Sequence, residues 1–277
     1  MRDTIITVLV ENTVNHAGLA AEHGLAVHIQ RDSASILWDT GATGLVAGNA
    51  KTLGIDLSSI DGVVLSHGHY DHTGGLPSVL QLAGGIRIYG HPDILTERFT
   101  PSSKKGGPRS IGIPYDREEL ESFGAEFVLG SEPVEILPGI VTTGEIPRIV
   151  PFEDTGGAFF LDRDLKHSDP IADDQSILID TANGYVLLLG CCHAGIVGTL
   201  ATVRERFGIS RLHLVVGGMH LVNAAETRME STFEALRGFD VENWAPGHCT
   251  GFGGACRFRR EFGEKATPMY TGREWRM

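Results

Sequence analysis

Apolar runs long enough to cross a bilayer are absent: nothing in the 277 residues approaches the roughly 20 consecutive apolar positions of a membrane helix. Cations are scarce too. With 23 Lys and Arg against 35 Asp and Glu, the formal net charge is −12. That balance argues against a nucleic-acid binder, whose affinity comes largely from neutralising phosphates with a basic surface. Cysteine is rare: there are 4, two of them adjacent and all in the second half of the chain. A chain large enough to stabilise itself by a core has no need of a disulfide framework, so reduced thiols are expected. The start, Met1-Arg2-Asp3-Thr4, lacks the apolar core and cleavage site of a signal peptide, and the expected location is the cytoplasm. What remains is an ordinary globular composition, 42% hydrophobic, read as one large α/β domain over residues 1–277.

Apolar alternation predicts strands near residues 4–11, 25–30, 34–38, 60–65 and 85–90, with helices over 43–53 and from Gly75. The second half repeats the plan, with strands near 140–144, 175–180, 185–190 and 211–216 and helices near 195–207 and 225–237. The carboxyl end reads as a last strand after a helix, with Cys256 expected in helix packing. Two segments break the alternation. One, Thr100 to Ser110, is rich in Gly, Pro and Ser and carries Lys104, Lys105 and Arg109, a basic loop suited to a phosphate or carboxylate. The other, Phe152 to Gln175, is rich in Asp and reads as a cover over a cleft.

The densest chemistry lies in Ser66-His67-Gly68-His69-Tyr70-Asp71-His72-Thr73-Gly74-Gly75, directly behind the apolar stretch Ile60 to Leu65. His67, His69, Asp71 and His72 are four metal-ligand types within six residues, more than one ion readily uses. A polar loop capping a strand end would not call for three His and one Asp flanked by three glycines, which let the backbone bend tightly. Two more apolar strands end in ligand-type residues: Tyr185 to Gly190 runs into Cys191-Cys192-His193, and Ala245-Pro246-Gly247 into His248-Cys249.

This HxHxDH pattern behind a strand resembles the signature of the metallo-β-lactamase superfamily. Trp38-Asp39-Thr40-Gly41 is similar to its strand followed by Asp-x-Gly, and the segments at His193 and His248 fall where its distant ligands lie. Val8 to Asn12, Glu22 to Leu25, Gly190 to Val197, Gly217 to Leu221 and Pro246 to Gly251 resemble one branch, which groups many metal-dependent hydrolases with the dihydropterin synthase-like enzymes of methanopterin biosynthesis. The patterning alone gives a mixed α/β chain; the resemblance implies a four-layer αββα sandwich of two facing mixed β-sheets.

By the same resemblance His67, His69 and His193 hold one divalent ion and Asp71, His72 and His248 a second, while Asp39 orients a ligand. Cys191 stands where other members place a bridging Asp: either that carboxylate is missing or Cys191 replaces it, with Asp173 and Asp174 in reserve. Cys249 reads as packing beside His248, and His23 as a turn residue. Asp71 and His220 are the catalytic candidates, and Lys104, Lys105 and Arg109 the candidate substrate contacts. The implied activity is a dinuclear metal-dependent hydrolase of a small anionic, ester- or phosphoester-like molecule, with zinc as the first choice of metal and manganese or iron behind it. A dihydropterin-transferring synthase and a non-catalytic metal-containing ligand sensor are the alternatives. Neither nucleic acid nor membrane is an expected partner, and the oligomeric state is open.

Overall fold

The computed structural model describes residues 3–102 and 107–277. The described chain forms two compact units: one made of the chain from Asp3 to Ser131 with Ala158–Asp173 and Tyr270–Met277, the other of Glu132–Gly157 and Asp174–Met269.

The first unit holds a seven-stranded sheet in the order Glu274–Arg276, Thr4–Val10, Ala26–Arg31, Ala34–Trp38, Gly62–Val64, Ile86–Gly90, Ala125–Leu129. Its first four strands are antiparallel, and from Ala34–Trp38 onward the neighbours are parallel. Parallel neighbours need crossovers, and helices Leu45–Thr52, Leu76–Ala83 and Arg117–Ser122 lie in them. In Leu76–Ala83 the apolar Leu76, Val79 and Leu80 recur at helical spacing and are buried, and left-handed Gly84 ends the helix. They pack with Leu37, Val63, Leu65 and Ile88 of the sheet side in one core. Asn49, buried on Leu45–Thr52, donates to the carbonyls of Leu9 and Ala20 and ties that helix to the first strand.

The second unit holds a six-stranded sheet in the order Asp240–Gly247, Arg211–Gly218, Gly184–Leu189, Ser176–Thr181, Ile140–Thr142, Glu135–Leu137. Its first three strands run parallel and the rest antiparallel. Helices Ile196–Phe207, Glu226–Leu236 and Gly251–Phe262 cover an apolar face in which Leu187, Leu189 and Val215 meet Ile196, Leu200 and Phe233. Trp244, Phe233, Phe258 and Phe262 form an aromatic cluster there, with Phe233 and Phe258 edge to face at 4.8 Å.

Two strands of the large sheets escape the apolar pattern, Ala125–Leu129 and Glu135–Leu137, and only the carboxyl end of Asp240–Gly247 was read from it; all three are edges of their sheets. An edge strand is half exposed and tolerates polar residues and proline, as Asp240–Gly247 does with Pro246. Cys256 corrects its expectation: it is exposed on Gly251–Phe262 rather than packed. No disulfide joins any of the four cysteines, and among the described residues no helix is long and apolar enough to cross a membrane.

His28 sits buried in strand Ala26–Arg31, and burial lowers its pKa from 6.5 to about 4. Between those values the unfolded chain binds the extra proton, so the stability tied to neutral His28 is present above pH 6.5 and lost as pH falls toward 4. The loss reaches at most about 3 kcal/mol. Denaturant titrations of wild type and His28→Val across that window are expected to show a shallower acid loss in the variant; parallel curves would contradict the assignment.

Candidate functional site

In the first unit the chemistry is carried by the loop behind Gly62–Val64, a strand paired on both sides, to Ala34–Trp38 and to Ile86–Gly90. Asp39 follows the neighbouring parallel strand and is fully buried. Its carboxylate accepts from Ser66 N at 2.7 Å, Ser66 Oγ at 2.8 Å and His72 Nδ1 at 2.7 Å. Because the Ser66 hydroxyl donates to Asp39, its oxygen accepts from His67 Nδ1 at 2.9 Å. One carboxylate thereby places the proton on Nδ1 of both His67 and His72 and leaves each Nε2 its lone pair, the arrangement a metal-ligating imidazole requires.

His67 Nε2 and His69 Nδ1 lie 3.0 Å apart. Two nitrogens each about 2.0–2.1 Å from one tetrahedral ion stand about 3.3 Å apart, so this pair fits chelation of a single cation with a small opening. His69 also caps the short helix Tyr70–Thr73, which carries Asp71 and His72. An Asp71 carboxylate oxygen is 3.8 Å from His72 Nε2 and 3.2 Å from His23 Nε2. Burial pushes the His72 imidazole down, yet the carboxylates of Asp39 and Asp71 outweigh it and leave its pKa raised: the pocket attracts positive charge. His23, read from sequence as a turn residue at the surface or behind a ligand, is set against Asp71, and that hydrogen bond, partly opposed by burial, raises its pKa.

The glycines of this loop act differently from the sequence reading. None of Gly68, Gly74 and Gly75 has a positive φ; instead a Cβ on them would meet the carbonyl oxygens of Ile94, Ala42 and Thr40 at 2.0–2.1 Å. They allow close approach rather than a tight bend. Around the loop, Phe159 packs on the His69 ring at 5.2 Å and the exposed Arg109 guanidinium lies 5.6 Å over Tyr70. Lys104 and Lys105 fall outside the described residues.

In the second unit Cys191 and His193 follow Gly184–Leu189, His220 follows Arg211–Gly218, and His248 follows Asp240–Gly247. The three strands are parallel, so these side chains gather at their carboxyl ends, where open α/β sheets bind ligands. Ligand atoms of Cys191, His193 and His220 lie within 4.8 Å of one another, and so do those of Cys191, His248 and Cys249. His193 Nδ1 donates to the Thr155 carbonyl at 2.7 Å, which again directs the lone pair to Nε2. Glu153 accepts from the Val197 and Gly198 amides at the start of Ile196–Phe207. Gly156 packs so closely on His220 that a Cβ would lie 2.0 Å from its Nδ1. Residues 153–156, part of the Asp-rich segment read as a cover, therefore fix both His193 and His220.

The neighbouring candidates separate by geometry. Cys192 joins the apolar core with its Sγ 3.3 Å from Thr199 Oγ, and burial pushes its thiol pKa well up, the reverse of a ligand thiolate. The Cys249 thiol accepts from His220 N and donates to the Cys191 carbonyl, both at 3.4 Å, tying three strand ends together. Asp174 accepts from Ala194 N at 2.8 Å. Asp173 is held by Arg98 and Gly68, so both of its oxygens are committed to protein donors. Seven non-glycine residues among those described have a positive φ, and four of them, Asp39, Cys192, His220 and His248, stand at these strand ends. Each such conformation costs on the order of 1–3 kcal/mol and survives only where its surroundings enforce it.

The model of the metallo-beta-lactamase superfamily matches residues 21–145. Over 265 residues the chain is 33% identical to 7,8-dihydropterin-6-methyl-4-(beta-D-ribofuranosyl)-aminobenzene-5'-phosphate synthase of Methanocaldococcus jannaschii, covering 91% of this chain and 89% of that one. Among solved structures, a metal-dependent hydrolase of the beta-lactamase superfamily, Tm1679, superposes with a TM-score of 0.82 at 32% identity, covering 98% of each chain. A diphosphatase from the PhnP family has a TM-score of 0.59 at 15% identity over 100% of this chain and 98% of that one, a likeness of fold alone.

Replacing Asp39 by Asn is expected to strand donors that the carboxylate now satisfies, lowering the stability of the metal-free protein by about 2 kcal/mol or more. Guanidinium denaturation midpoints measure it; an unchanged midpoint would show that Asp39 does not organise the loop.

Proposed function

The chain belongs to the metallo-β-lactamase superfamily, in the branch that joins metal-dependent hydrolases to dihydropterin synthase-like enzymes, and on that footing we propose that it is a dinuclear metal-dependent hydrolase of a small anionic, ester- or phosphoester-like substrate. In this reading His67, His69 and His193 hold one divalent cation and Asp71, His72 and His248 the other, zinc being favoured by the imidazole-rich set. The observation that carries the reading is the Asp39 network, which presents Nε2 of both His67 and His72 as lone-pair donors. Cys191 sets a thiol beside His193, His220 and His248, at the place where the resemblance puts a bridging Asp, and either takes over that role or leaves it unfilled.

The two cations, when bound, would supply Lewis acidity toward the substrate oxygen and toward the attacking water. Asp71, close to His72 and His23, orients that water and accepts its proton. His220, held by Gly156, hands a proton to the leaving group. Arg109 at the rim receives the anionic end of the substrate.

The 33% identity to the synthase favours a second use of the same residues, in which a dihydropterin is joined to an aminobenzene ribofuranosyl phosphate and water is kept out. Product analysis in ¹⁸O-labelled water separates the two. Metal-reconstituted protein is offered an aryl phosphodiester and, separately, a dihydropterin diphosphate with the aminobenzene acceptor. The hydrolase reading expects label in the product and a loss of about 10²-fold or more on His220→Ala. A coupled product without label would replace it by the synthase, and no consumption of either substrate would remove both.

A further inference from the structure

Arg98 is a side chain to which the chemistry above gives no part and which the fold has buried at considerable cost. It is 1% exposed, and its guanidinium makes a two-pronged contact with the fully buried Asp173, Nη2 to Oδ1 at 2.7 Å and Nη1 to Oδ2 at 2.9 Å. Its Nε donates to a second buried carboxylate, Asp169, at 2.7 Å, and Nη2 also reaches the Asp93 carbonyl at 3.2 Å. Two carboxylates on one guanidinium in an interior are a poor device for stability, since apolar residues of the same volume commonly do as well or better. A geometric purpose explains them better, and Asp173 shows where it acts. Its Oδ2 accepts from the Gly68 amide at 2.7 Å, a contact spanning 105 positions of sequence. Gly68 lies between His67 and His69, and a Cβ there would stand 2.1 Å from the Ile94 carbonyl oxygen and 2.5 Å from Arg98 Nη1. The loop backbone rests directly on the guanidinium and the carboxylate behind it.

We propose that Arg98 and Asp173 are positioning residues: a buried clamp that grips the Gly68 amide and so sets the spacing of His67 and His69 for chelating a divalent cation. The proposal rests on the reading of those two histidines as metal ligands. Asp173 is accordingly a support for ligands and not a ligand. Asp169 shares the same guanidinium, but its other oxygen accepts from Ile171 N rather than from the Gly68 amide. It is the internal control, because Asp169→Asn disturbs the buried charge without releasing the loop.

Two readouts are taken on Asp173→Asn, Arg98→Lys and Asp169→Asn at a temperature where circular dichroism shows them folded. The first is zinc affinity by competition with a chromophoric chelator. The second is hydrogen exchange of residues 66–72 in metal-free protein. Asp173→Asn is expected to weaken zinc binding by about tenfold or more and to speed exchange across the loop, with Asp169→Asn close to wild type in both. Arg98→Lys, which keeps the charge and loses the fork, is expected to follow Asp173→Asn, and it carries the comparison if Asp173→Asn does not fold. Equal effects of Asp173→Asn and Asp169→Asn, or no effect of either, would overturn the clamp. A wild type that takes up no zinc would defeat the metal reading alone, since faster loop exchange in Asp173→Asn than in Asp169→Asn would still uphold the clamp and equal exchange would still defeat it.

Discussion

A buried carboxylate at the end of a strand carries the first unit's chemistry. Asp39 has no exposure and accepts three hydrogen bonds, from the Ser66 amide, the Ser66 hydroxyl and His72. Desolvating a carboxylate is costly unless its oxygens are satisfied, so the loop from Ser66 to His72 must close onto it in one arrangement. That arrangement fixes the tautomers of His67 and His72 and turns two ordinary imidazoles into directed donors. The strand that delivers Asp39 and the strand that delivers Ser66 are parallel neighbours, so their carboxyl ends stand side by side. The sheet supplies what the carboxylate needs.

The second unit reaches a similar result by other means. Its polar residues also stand at the carboxyl ends of parallel strands, but the orientation comes from backbone rather than from a buried acid. The Thr155 carbonyl sets His193, Gly156 abuts His220, and the Cys249 thiol bridges the ends that carry Cys191 and His220. Left-handed φ values at Cys192, His220 and His248 show the chain turning sharply there. Such strain persists only where the packing around it is firm, and the aromatic cluster of Phe233, Trp244 and Phe258 lies in the core of the same unit.

Much of this was legible in the sequence, for identifiable reasons. Interior strands read well because both faces are buried and their apolar runs are continuous, as in Val63-Val64-Leu65 or Val186 to Leu189. The edge strands Ala125–Leu129 and Glu135–Leu137 did not, since their half-exposed positions carry no clear signal. The HxHxDH spacing drew attention to the loop that closes onto Asp39, and the family resemblance drew attention to Asp39 itself. Arg98 gave no warning, because its partners Asp169 and Asp173 lie 71 and 75 positions away and buried ion pairs leave no local pattern. Glu153 and Thr155 were hidden in the same way inside a segment that read as an Asp-rich cover with no residue singled out. The glycines were recognised as important, but for bending rather than for close contact, a distinction that only neighbouring atoms reveal.

The central claim, that the clustered imidazoles exist to hold two divalent ions, is tested most directly by the metal content of protein purified without chelator. Plasma mass spectrometry on wild type, His72→Ala and Cys191→Ser gives the count. About two equivalents of zinc, manganese or iron in wild type, falling toward one in His72→Ala, is the expected result, and the Cys191→Ser value tells whether the thiol is itself a ligand. Protein that holds no metal, even after reconstitution, would contradict the account.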